Sequence, residues 1–381
     1  MQKKRILIFI DWYLPGYKAG GPIQSVANIV AHLREEFDFY IVTSDTDYCE
    51  TMPYSSIKSD EWNVLPSGEN VYYISKNALN RSTIKKLIRK TEADVVYLNS
   101  VFSIYFTLYP LYYLRKKKNR KIVIASRGML AKSALGVKKT KKQIFLLSVK
   151  VLKLFDKVVF HASTENERKD IHLALGSTFQ VVVAGNLPQK VDIALLPKRT
   201  KNEGEVKFIN VARVAPEKNL LFALRILKEV KANVVFDFYG PIYDNAYWEE
   251  CKKELSELPP NITAEYKGSL EPENVLKELA LCHFMFMPTQ GENFGHIILQ
   301  SFSVGCPVII SNQTPWKELN KKGIGWDIEL SSSLKFVRAI EDAAKMNQSE
   351  FQAYSAAAFN FSKAYINNAE IVQQNKELFI V

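Results

Sequence analysis

The sequence predicts an α/β fold built from two doubly wound, Rossmann-like domains. The chain has 381 residues, which is too many for one hydrophobic core and suits two domains of about 150–200 residues. Short β-branched runs of the buried-strand type alternate with helical patterns, and this alternation occurs twice along the chain. Near-continuous apolar strands joined by helices are typical of parallel sheets that are covered on both faces.

Two series of strands can be assigned from these runs. The first series predicts strands at 6–10, 39–43, 71–75, 94–99, 121–126, 157–162 and 181–184. Helical patterns separate several of them, at 22–34, 82–91 and 164–175. After a polar stretch that contains Pro188 and Pro197, the second series predicts strands at 207–211, 234–239, 262–266, 284–287 and 307–310.

The domain boundaries follow from this break in the pattern. We expect an N-terminal domain over residues 1–186, a linker over 187–204 and a C-terminal domain over 205–361. The helical tail, about residues 362–381, is expected to cross back and pack on the first domain. The two domains are expected to face a cleft.

The composition excludes several classes of protein. With 47% hydrophobic residues the chain is neither disordered nor of low complexity. Its four cysteines are scattered and its five histidines lack metal-ligand spacing, so we expect no disulfide scaffold, no zinc site and a reducing, cytoplasmic environment. The apolar run 6–10 is too short for a signal peptide. Lys150 and Lys153 interrupt the longest apolar stretch, 144–155, which is shorter than a membrane span of ~20 residues.

Positive charge is concentrated in one region. Residues 115–157 contain 15 lysines and arginines and a single acid, Asp156, so their charge of +14 exceeds the net charge of +11 for the whole chain. Such a patch indicates an anionic partner: a phospholipid surface, a phosphorylated acceptor or nucleic acid. Residues 138–155 also predict a basic amphipathic helix, either lying in a lipid interface or serving as an ordinary helix with a solvated lysine face.

The loop after the first strand contains two adjacent glycines, Gly20 and Gly21, followed by Pro22. Glycines let another group approach the backbone closely, and proline is suited to the first helical position. The N–H groups at such a helix start can bind an anion, although a plain tight turn also explains the pattern. The loop lacks the Gly-x-Gly-x-x-Gly fingerprint of dinucleotide-binding proteins.

Two loops of the second domain carry charged residues at predicted strand ends. Arg213 and Lys218 follow the strand 207–211, and two cations at this spacing can converge on one diphosphate. In the second loop, Glu292 is followed by Asn293, Phe294 and Gly295, then by a helical segment that carries Gln300. If the eight residues from Glu292 are helical, the two side chains stand on the order of 12 Å apart and can hold opposite ends of a nucleotide-sugar. Gly305 is expected to end this helix.

These motifs resemble those of the retaining GT-B glycosyltransferases of the glycogen-synthase-like group 1 type, particularly the bacterial surface-polysaccharide enzymes. The resemblance is strongest in Ala-Arg-Val-Ala-Pro-Glu-Lys-Asn from residue 212 and in Gly-Glu-Asn-Phe-Gly-His from residue 291, with Gly-Cys-Pro-Val-Ile at 305–309. Pro-Gly-Tyr-Lys-Ala-Gly-Gly-Pro at 15–22 and Ser-Arg-Gly-Met-Leu at 126–130 also resemble that branch.

The resemblance implies roles for the second-domain residues. Arg213 and Lys218 would bind the donor diphosphate and stabilise its charge as it leaves, and Glu292 would orient hydroxyls of the transferred sugar. Asn293, Phe294 and Gly295 would complete the donor site. Gln300 stands where the family usually has a second glutamate that holds the nucleotide ribose, so the donor affinity or the nucleotide preference is expected to differ.

The resemblance also implies roles for the first domain, which would lie on the acceptor side. Gly20 and Gly21 would approach the donor phosphates or the acceptor. Arg127 occupies a strand end where many relatives have a histidine, and there it would either meet an acceptor phosphate or form a structural salt bridge. Asp45-Thr-Asp47 matches the Asp-x-Asp metal motif of the other large glycosyltransferase fold, but it is a short pattern that arises often by chance.

The implied activity is transfer of a sugar, with retention and without a metal or other cofactor, from a nucleotide-diphosphate sugar to a glycan or lipid-linked acceptor. In the family's same-face route a leaving phosphate oxygen takes the acceptor's proton. The implied setting is synthesis of capsule, O-antigen or exopolysaccharide in the cytoplasm, on the inner face of the plasma membrane if the basic 115–157 region contacts it, with no nucleic-acid partner.

Two alternatives remain open. A GT-B nucleotide-sugar epimerase would share the fold but needs acid and base side chains in the first domain, which we do not identify. The second alternative is a non-enzymatic protein that binds an anionic ligand: a sugar-nucleotide sensor if the Gln300 change abolishes turnover, or a nucleic-acid-binding protein, which would explain the basic region. Nucleic-acid binding does not explain Arg213, Lys218 and Glu292.

Overall fold

A computed structural model describes residues 3–115, 120–131, 134–135, 139–190 and 195–380. The chain forms two compact units: Met1–Lys190 together with Asn368–Val381, and Val191–Asn367. Each unit contains a sheet with hydrophobic clusters against it.

The first unit contains an eight-stranded sheet. Its strands are β1 (Lys4–Phe9), β2 (Phe37–Ser44), β3 (Trp62–Val64), β4 (Asn70–Ile74), β5 (Val95–Leu98), β6 (Lys121–Ala125), β7 (Val158–Ala162) and β8 (Gln180–Val183). They lie in the order β3-β4-β2-β1-β5-β6-β7-β8, and every pairing is parallel except that of β3 with β4. Alternate residues of β1 enter the two hydrophobic layers on opposite faces of the sheet, Leu7 and Phe9 in one and Ile6 and Ile8 in the other.

The helices of the first unit connect these strands. They are α1 (Gly21–Leu33), α2 (Arg81–Thr91), α3 (Tyr109–Leu114), α4 (Lys139–Val151), α5 (Glu165–Leu175) and the C-terminal α12 (Ala369–Glu377); a π-helical turn, Ile104–Leu108, precedes α3. The tail is anchored to this unit because Asn375 Nδ2 donates to the Gly185 carbonyl at 2.7 Å and Phe379 packs against Phe37 and Tyr97.

The second unit contains a six-stranded parallel sheet. Its strands are β9 (Glu205–Val211), β10 (Asn233–Tyr239), β11 (Ile262–Tyr266), β12 (Phe284–Met287), β13 (Val308–Ser311) and β14 (Gly325–Ile328), in the order β11-β10-β9-β12-β13-β14. Its helices are α6 (Leu220–Lys228), α7 (Asn245–Ser256), α8 (Pro272–Ala280), α9 (His296–Ser303), α10 (Ser333–Lys345) and α11 (Gln348–Ile366). This strand order is that of a Rossmann-type sheet.

The order of the strands brings distant loops together. In the second unit β9 pairs with both β10 and β12, so the chain reverses its direction of winding between β9 and β12. Ligands of open α/β sheets bind outside the carboxyl ends of the strands at such a switch point. The corresponding switch point of the first unit lies between β1 and β5.

The predicted fold class is confirmed, and every predicted strand is present with ends that differ by at most two residues. Two strands escaped prediction. β3 has three residues and pairs only at the sheet edge, and β14 includes Gly325 and Asp327, so neither gives an apolar run. Among the described residues no helix combines the length and the hydrophobicity of a membrane span.

The predicted basic helix is shorter than expected, and it has apolar side chains on two sides. It covers Lys139–Val151, with Phe145 half-buried and Val149 buried, whereas Ile144, Leu147 and Val151 are exposed. Part of the predicted basic region lies outside the described residues, namely Lys116, Lys117, Lys118, Lys132 and Lys138.

One glycine permits a close backbone approach beside the loop that follows β9. Gly240 has φ +147°, and a Cβ atom there would lie 1.8 Å from the carbonyl oxygen of Ala212. Gly268 also has a positive φ, +81°, but a Cβ atom there would meet nothing within 4 Å. Substitution of Gly268 therefore introduces backbone strain alone, whereas substitution of Gly240 introduces both backbone strain and a steric clash.

We predict that Gly240→Ala lowers the free energy of unfolding far more than Gly268→Ala. Left-handed backbone strain alone costs about 1–2 kcal/mol, whereas a clash with a backbone carbonyl raises the loss to roughly 4 kcal/mol. Urea unfolding of both variants measures the difference. Equal losses would show that the loop after β9 moves aside freely.

Candidate functional site

The loops that follow β9 and β12 are joined by hydrogen bonds at the switch point of the second unit. Asn219 Nδ2 donates to the Pro288 carbonyl at 2.9 Å, and the Gln290 amide donates to the Glu217 carbonyl at 2.9 Å. Thr289 Oγ1 donates to the same carbonyl at 3.0 Å. These bonds hold together two loops that are about 70 residues apart in sequence.

An ion pair crosses between the two loops. Lys218 Nζ lies 2.5 Å from Glu292 Oε1, and the side chains are only 19% and 14% exposed. Lys218 ends a 3₁₀ turn, Pro216–Lys218, and Glu292 is fixed through its backbone amide, which donates to the Gln313 carbonyl at 3.0 Å. A pair shielded from water to this degree holds both side chains more firmly than a surface pair does.

Arg213 has an acidic partner of its own. Its Nη2 lies 3.1 Å from Glu217 Oε1, four residues further on, and the two side chains are 34% and 50% exposed. Pairs of this kind contribute little to stability because water screens them. Arg213 and Lys218 therefore lie in the same loop, each balanced by a carboxylate, and an incoming anion can compete for both cations.

The loop after β12 leads into α9 through a left-handed glycine, Gly295, which has φ +76°. The helix begins at His296, so the premise that the eight residues from Glu292 are helical is wrong: Glu292 to Gly295 form a loop. Gln300 lies in the second turn of the helix and is half-buried. The helix ends at Ser303, and Gly305 follows with φ +65°, as the sequence predicted.

Phe294 and Asn293 differ in their surroundings. The ring of Phe294 packs against Trp316 and Tyr365, and its carbonyl accepts a bond from Trp316 Nε1 at 2.5 Å. The phenylalanine side chain is thus part of the hydrophobic core, whereas Asn293 is half-exposed.

Two polar residues support this site and were not singled out from the sequence. Thr289 is fully buried, and its hydroxyl lies 3.5 Å from Glu292 Oε1. Asn210, inside the buried strand β9, donates to the Phe286 carbonyl of β12 at 2.8 Å. A polar residue within or directly after an otherwise apolar strand is the signal that could have identified both.

In the first unit, the loop after β1 is shaped by an aspartate. Asp47 Oδ2 accepts hydrogen bonds from the amides of Tyr17 and Lys18 at 2.9 and 3.2 Å. Gly20, with φ +72°, caps α1, whose first residue is Gly21. Pro22 is therefore the second helical residue rather than the first.

The Asp-x-Asp pattern has a structural role. Asp47 organises the glycine loop, and Asp45 Oδ2 accepts a hydrogen bond from Ser59 Oγ at 2.7 Å. Among the residues that the structure describes, no three His, Cys, Asp or Glu side chains cluster as metal ligands.

Arg127 is held in place by three neutral oxygen atoms. Its Nε donates to Asn99 Oδ1 at 2.7 Å, Nη1 to Asn186 Oδ1 at 2.8 Å and Nη2 to Tyr97 Oη at 2.9 Å. Within the described part of the chain no ion pair joins Arg127 to a carboxylate, so the structural salt bridge considered above is absent there. Asn99 Nδ2 also lies 3.5 Å from the Pro22 carbonyl, which brings Arg127 near the start of α1.

The bonds of Arg127 continue into a buried histidine. Tyr97 Oη lies 2.8 Å from His161 Nδ1, and His161 Nε2 lies 2.8 Å from the Ala184 carbonyl. Because a carbonyl can only accept, Nε2 carries the proton and Nδ1 accepts from the tyrosine hydroxyl. Burial first, and then the charge of Arg127, lowers the pKa of His161 to about 4.

Glu167 anchors the loop that carries Arg127. It accepts hydrogen bonds from the Gly128 amide and Ser126 Oγ at 2.6 Å, and from the amide and hydroxyl of Ser163 at 2.7 Å. Burial raises the pKa of this carboxyl, but the hydrogen bonds outweigh burial and bring the pKa below its usual range. The carboxylate stays charged and fixes the backbone on either side of Arg127.

We predict that His161 makes stability depend on pH. Because its pKa is lower in the folded protein than in the unfolded chain, the unfolded chain binds more protons and stability falls as the pH drops from about 6.5 toward 4. Between about pH 7 and pH 5 this loss is about 2 kcal/mol. Urea unfolding at both pH values should show a smaller loss for His161→Asn. An identical loss in both proteins would exclude this role.

Comparisons with known proteins gave a family match within the second unit and structural matches to the fold. Residues 192–360 match the family described as glycosyl transferases group 1. This range includes both loops of the switch point, with Arg213, Lys218 and Glu292. No curated protein matched the sequence.

Solved structures match the chain over nearly its full length. HepE of Anabaena, in complex with UDP and glucose, is 14% identical with a TM-score of 0.70 and coverage of 98% of each chain. Sucrose-phosphate synthase of Thermosynechococcus elongatus is 13% identical with a TM-score of 0.70, covering 99% of this chain and 98% of that one. A mutant of S. aureus TarM, in complex with UDP, fondaparinux and α-GlcNAc-glycerol, is 13% identical with a TM-score of 0.70, covering 99% of this chain and 100% of that one.

At these identities the structural matches establish the GT-B fold alone. The family match covers the two loops that carry the charged residues. The family match over residues 192–360, together with the fold, supports glycosyltransferase activity for this chain.

Proposed function

We propose that the protein transfers a sugar from a nucleotide-diphosphate sugar to a glycan or lipid-linked acceptor, with retention at the transferred carbon, in the synthesis of a bacterial surface polysaccharide. The observation that carries the proposal is the pair of cations in the loop after β9, one of which is paired with a carboxylate from the loop after β12. The solved relatives HepE and TarM contain UDP, which makes UDP the natural first probe of the donor site.

In this proposal Lys218 and Arg213 bind the donor diphosphate. Each cation already has one carboxylate neighbour, and a diphosphate brings more negative charge than either carboxylate and offers one phosphate group to each cation. As the bond between sugar and phosphate breaks, negative charge grows on the departing diphosphate. Cations that are in place beforehand stabilise this charge without reorganisation.

Glu292 orients the transferred sugar. Its Oε1 atom contacts Lys218, so a sugar hydroxyl bound to this carboxylate lies next to the cation that holds the phosphate. Gly295 at the start of α9 adds helix-start N–H groups, which favour negative charge. Asn293 and the backbone of Phe294 complete the donor site.

The first unit supplies the acceptor side. Gly20 and Gly21 let a phosphate or an acceptor hydroxyl approach the start of α1 closely. Arg127, whose three bonds are all to neutral oxygens, presents its positive charge to an acceptor phosphate. The proton of the acceptor hydroxyl passes to an oxygen of the leaving phosphate, which makes a dedicated side-chain base unnecessary. The charge that a metal ion supplies in other glycosyltransferases comes here from Arg213 and Lys218.

We predict that Lys218→Ala loses the diphosphate contribution to binding and the transfer activity while the protein stays folded. One charge-assisted contact contributes about 1.5–3 kcal/mol, so UDP should bind roughly tenfold to a hundredfold more weakly, with uridine binding unchanged. Transfer should fall by about 10²–10³. Titration calorimetry with UDP and uridine measures the first effect, and UDP release from a panel of UDP-sugars measures the second.

The matched control is Lys253→Ala, which removes an exposed lysine of α7 outside the site. It should bind UDP and transfer sugar as the wild type does. Wild-type UDP affinity in Lys218→Ala, with the fold intact by circular dichroism, would refute the diphosphate role.

We further predict that Gln300→Glu strengthens nucleotide binding. A carboxylate accepts hydrogen bonds from both hydroxyls of a ribose diol, and a charged acceptor forms stronger bonds than an amide oxygen. The KM for the donor should fall about threefold to tenfold with little change in kcat. A comparison of UDP with 2′-deoxy-UDP shows where the added affinity arises. If Gln300→Glu strengthens the binding of both nucleotides equally, residue 300 does not face the ribose.

A further inference from the structure

Helix α4 of the first unit carries apolar side chains on two different sides. On one side Phe145, Leu146 and Val149 pack inward, with Phe145 against the ring of Phe102. On the other side Ile144, Leu147 and Val151 recur at a spacing of three and four residues, which aligns them along one stripe of a helix. A helix at a domain surface needs only the first of these sides for folding.

The second side faces solvent. Ile144 is 60% exposed, Leu147 63%, Val151 71%, and Leu152, just beyond the helix, 55%. We call these four residues the outer face of α4. Single exposed apolar residues are ordinary, but a contiguous row of large aliphatic side chains marks an interaction surface.

Lysines flank the outer face. Lys141 and Lys150 are exposed and lie on opposite flanks of the stripe, and Lys153 follows the helix. Among the described residues no salt bridge involves any of these three lysines, and Asp156 is the one acid between residues 115 and 157. The charge around the outer face is therefore positive and without carboxylate partners in that part of the chain.

Apolar surface continues from the outer face beneath the helix. A cavity of about 230 Å³ lies beside α4 and is lined by Leu146, Leu147, Val149, Phe155, Leu175 and Phe179. Leu147 belongs both to the outer face and to the cavity wall. Lys150 and Asp156, both exposed, also line this cavity.

We propose that the outer face of α4 docks on an anionic phospholipid bilayer, with its aliphatic side chains among the acyl chains and its lysines at the headgroups. This partner matches both features of the surface, since anionic lipids attract lysines and take up apolar side chains at the same interface. Nucleic acid accounts for the lysines but not for the aliphatic row. A second copy of the chain would carry the same positive charge. This inference goes beyond the proposed transfer reaction and does not depend on it.

Co-sedimentation of the full-length protein with vesicles tests the proposal. The protein should bind vesicles of phosphatidylcholine that contain about a third phosphatidylglycerol and should bind pure phosphatidylcholine far more weakly. High salt should release most of it, because the lysine contribution is screened. No binding to the anionic vesicles at low salt would overturn the proposal.

A pair of double variants separates insertion from charge attraction. Ile144→Asn with Leu147→Asn should weaken partitioning about tenfold or more, since both aliphatic groups are lost from the interface. The matched control is Leu281→Asn with Leu334→Asn in the second unit, where the leucines are 61% and 72% exposed. The control should bind vesicles as the wild type does, and both proteins should keep the wild-type rate on a water-soluble acceptor.

Further results would contradict the proposal. Equal vesicle binding by the two double variants would show that charge alone attracts the protein. If the wild type sediments as a dimer and the double variant Ile144→Asn with Leu147→Asn sediments as a monomer, the outer face binds a second copy of the chain. Loss of catalysis in every protein, with vesicle binding intact, would instead count against the proposed function and leave the docking surface standing.

Discussion

The adjacency of β9 and β12 is the constraint on which the candidate donor site depends. The two strands are neighbours in the sheet although β10, β11 and their helices lie between them in the chain. Their outgoing loops are therefore forced to the same place, and there Lys218 of one meets Glu292 of the other at 2.5 Å. Backbone bonds from Gln290 and side-chain bonds from Asn219 keep the loops in register. The position of each charge is thus a consequence of sheet topology.

Charge balance in the second unit has a chemical consequence. Lys218 and Arg213 are each paired with one carboxylate, so neither cation is left in a partly buried position without compensation. A bound diphosphate would take over part of this compensation. The low exposure of Lys218 makes its attraction for an anion stronger than that of an exposed lysine, because less water screens its charge.

Arg127 of the first unit is oriented by hydrogen bonds to neutral oxygen atoms, and the described residues give it no ion pair. Arg127 is oriented by two amide oxygens and a phenol, and the phenol is oriented by a histidine that burial keeps neutral. The nearby carboxylate of Glu167 bonds to the backbone and to serine hydroxyls. The guanidinium is thereby fixed in direction while its charge has no contact partner among the described carboxylates.

The fold was accessible from the sequence because buried parallel strands leave continuous β-branched runs, and only the short strands β3 and β14 lack them. The candidate residues Arg213, Lys218 and Glu292 were accessible because they follow such runs. Their pairing was not, since a contact across 74 residues depends on strand order. The ring of Phe294 lies in the core because Trp316 and Tyr365, distant in sequence, surround it. The two-sided character of α4 depends on which side the sheet covers, and periodicity alone does not determine that.

The central claim is that the cations of the loop after β9 neutralise a diphosphate. A crystal structure of the full-length protein with bound UDP tests it most directly. We expect phosphate oxygens of UDP within hydrogen-bond distance, about 2.7–3.2 Å, of Lys218 Nζ and of the Arg213 guanidinium. A diphosphate that contacts neither side chain would contradict it.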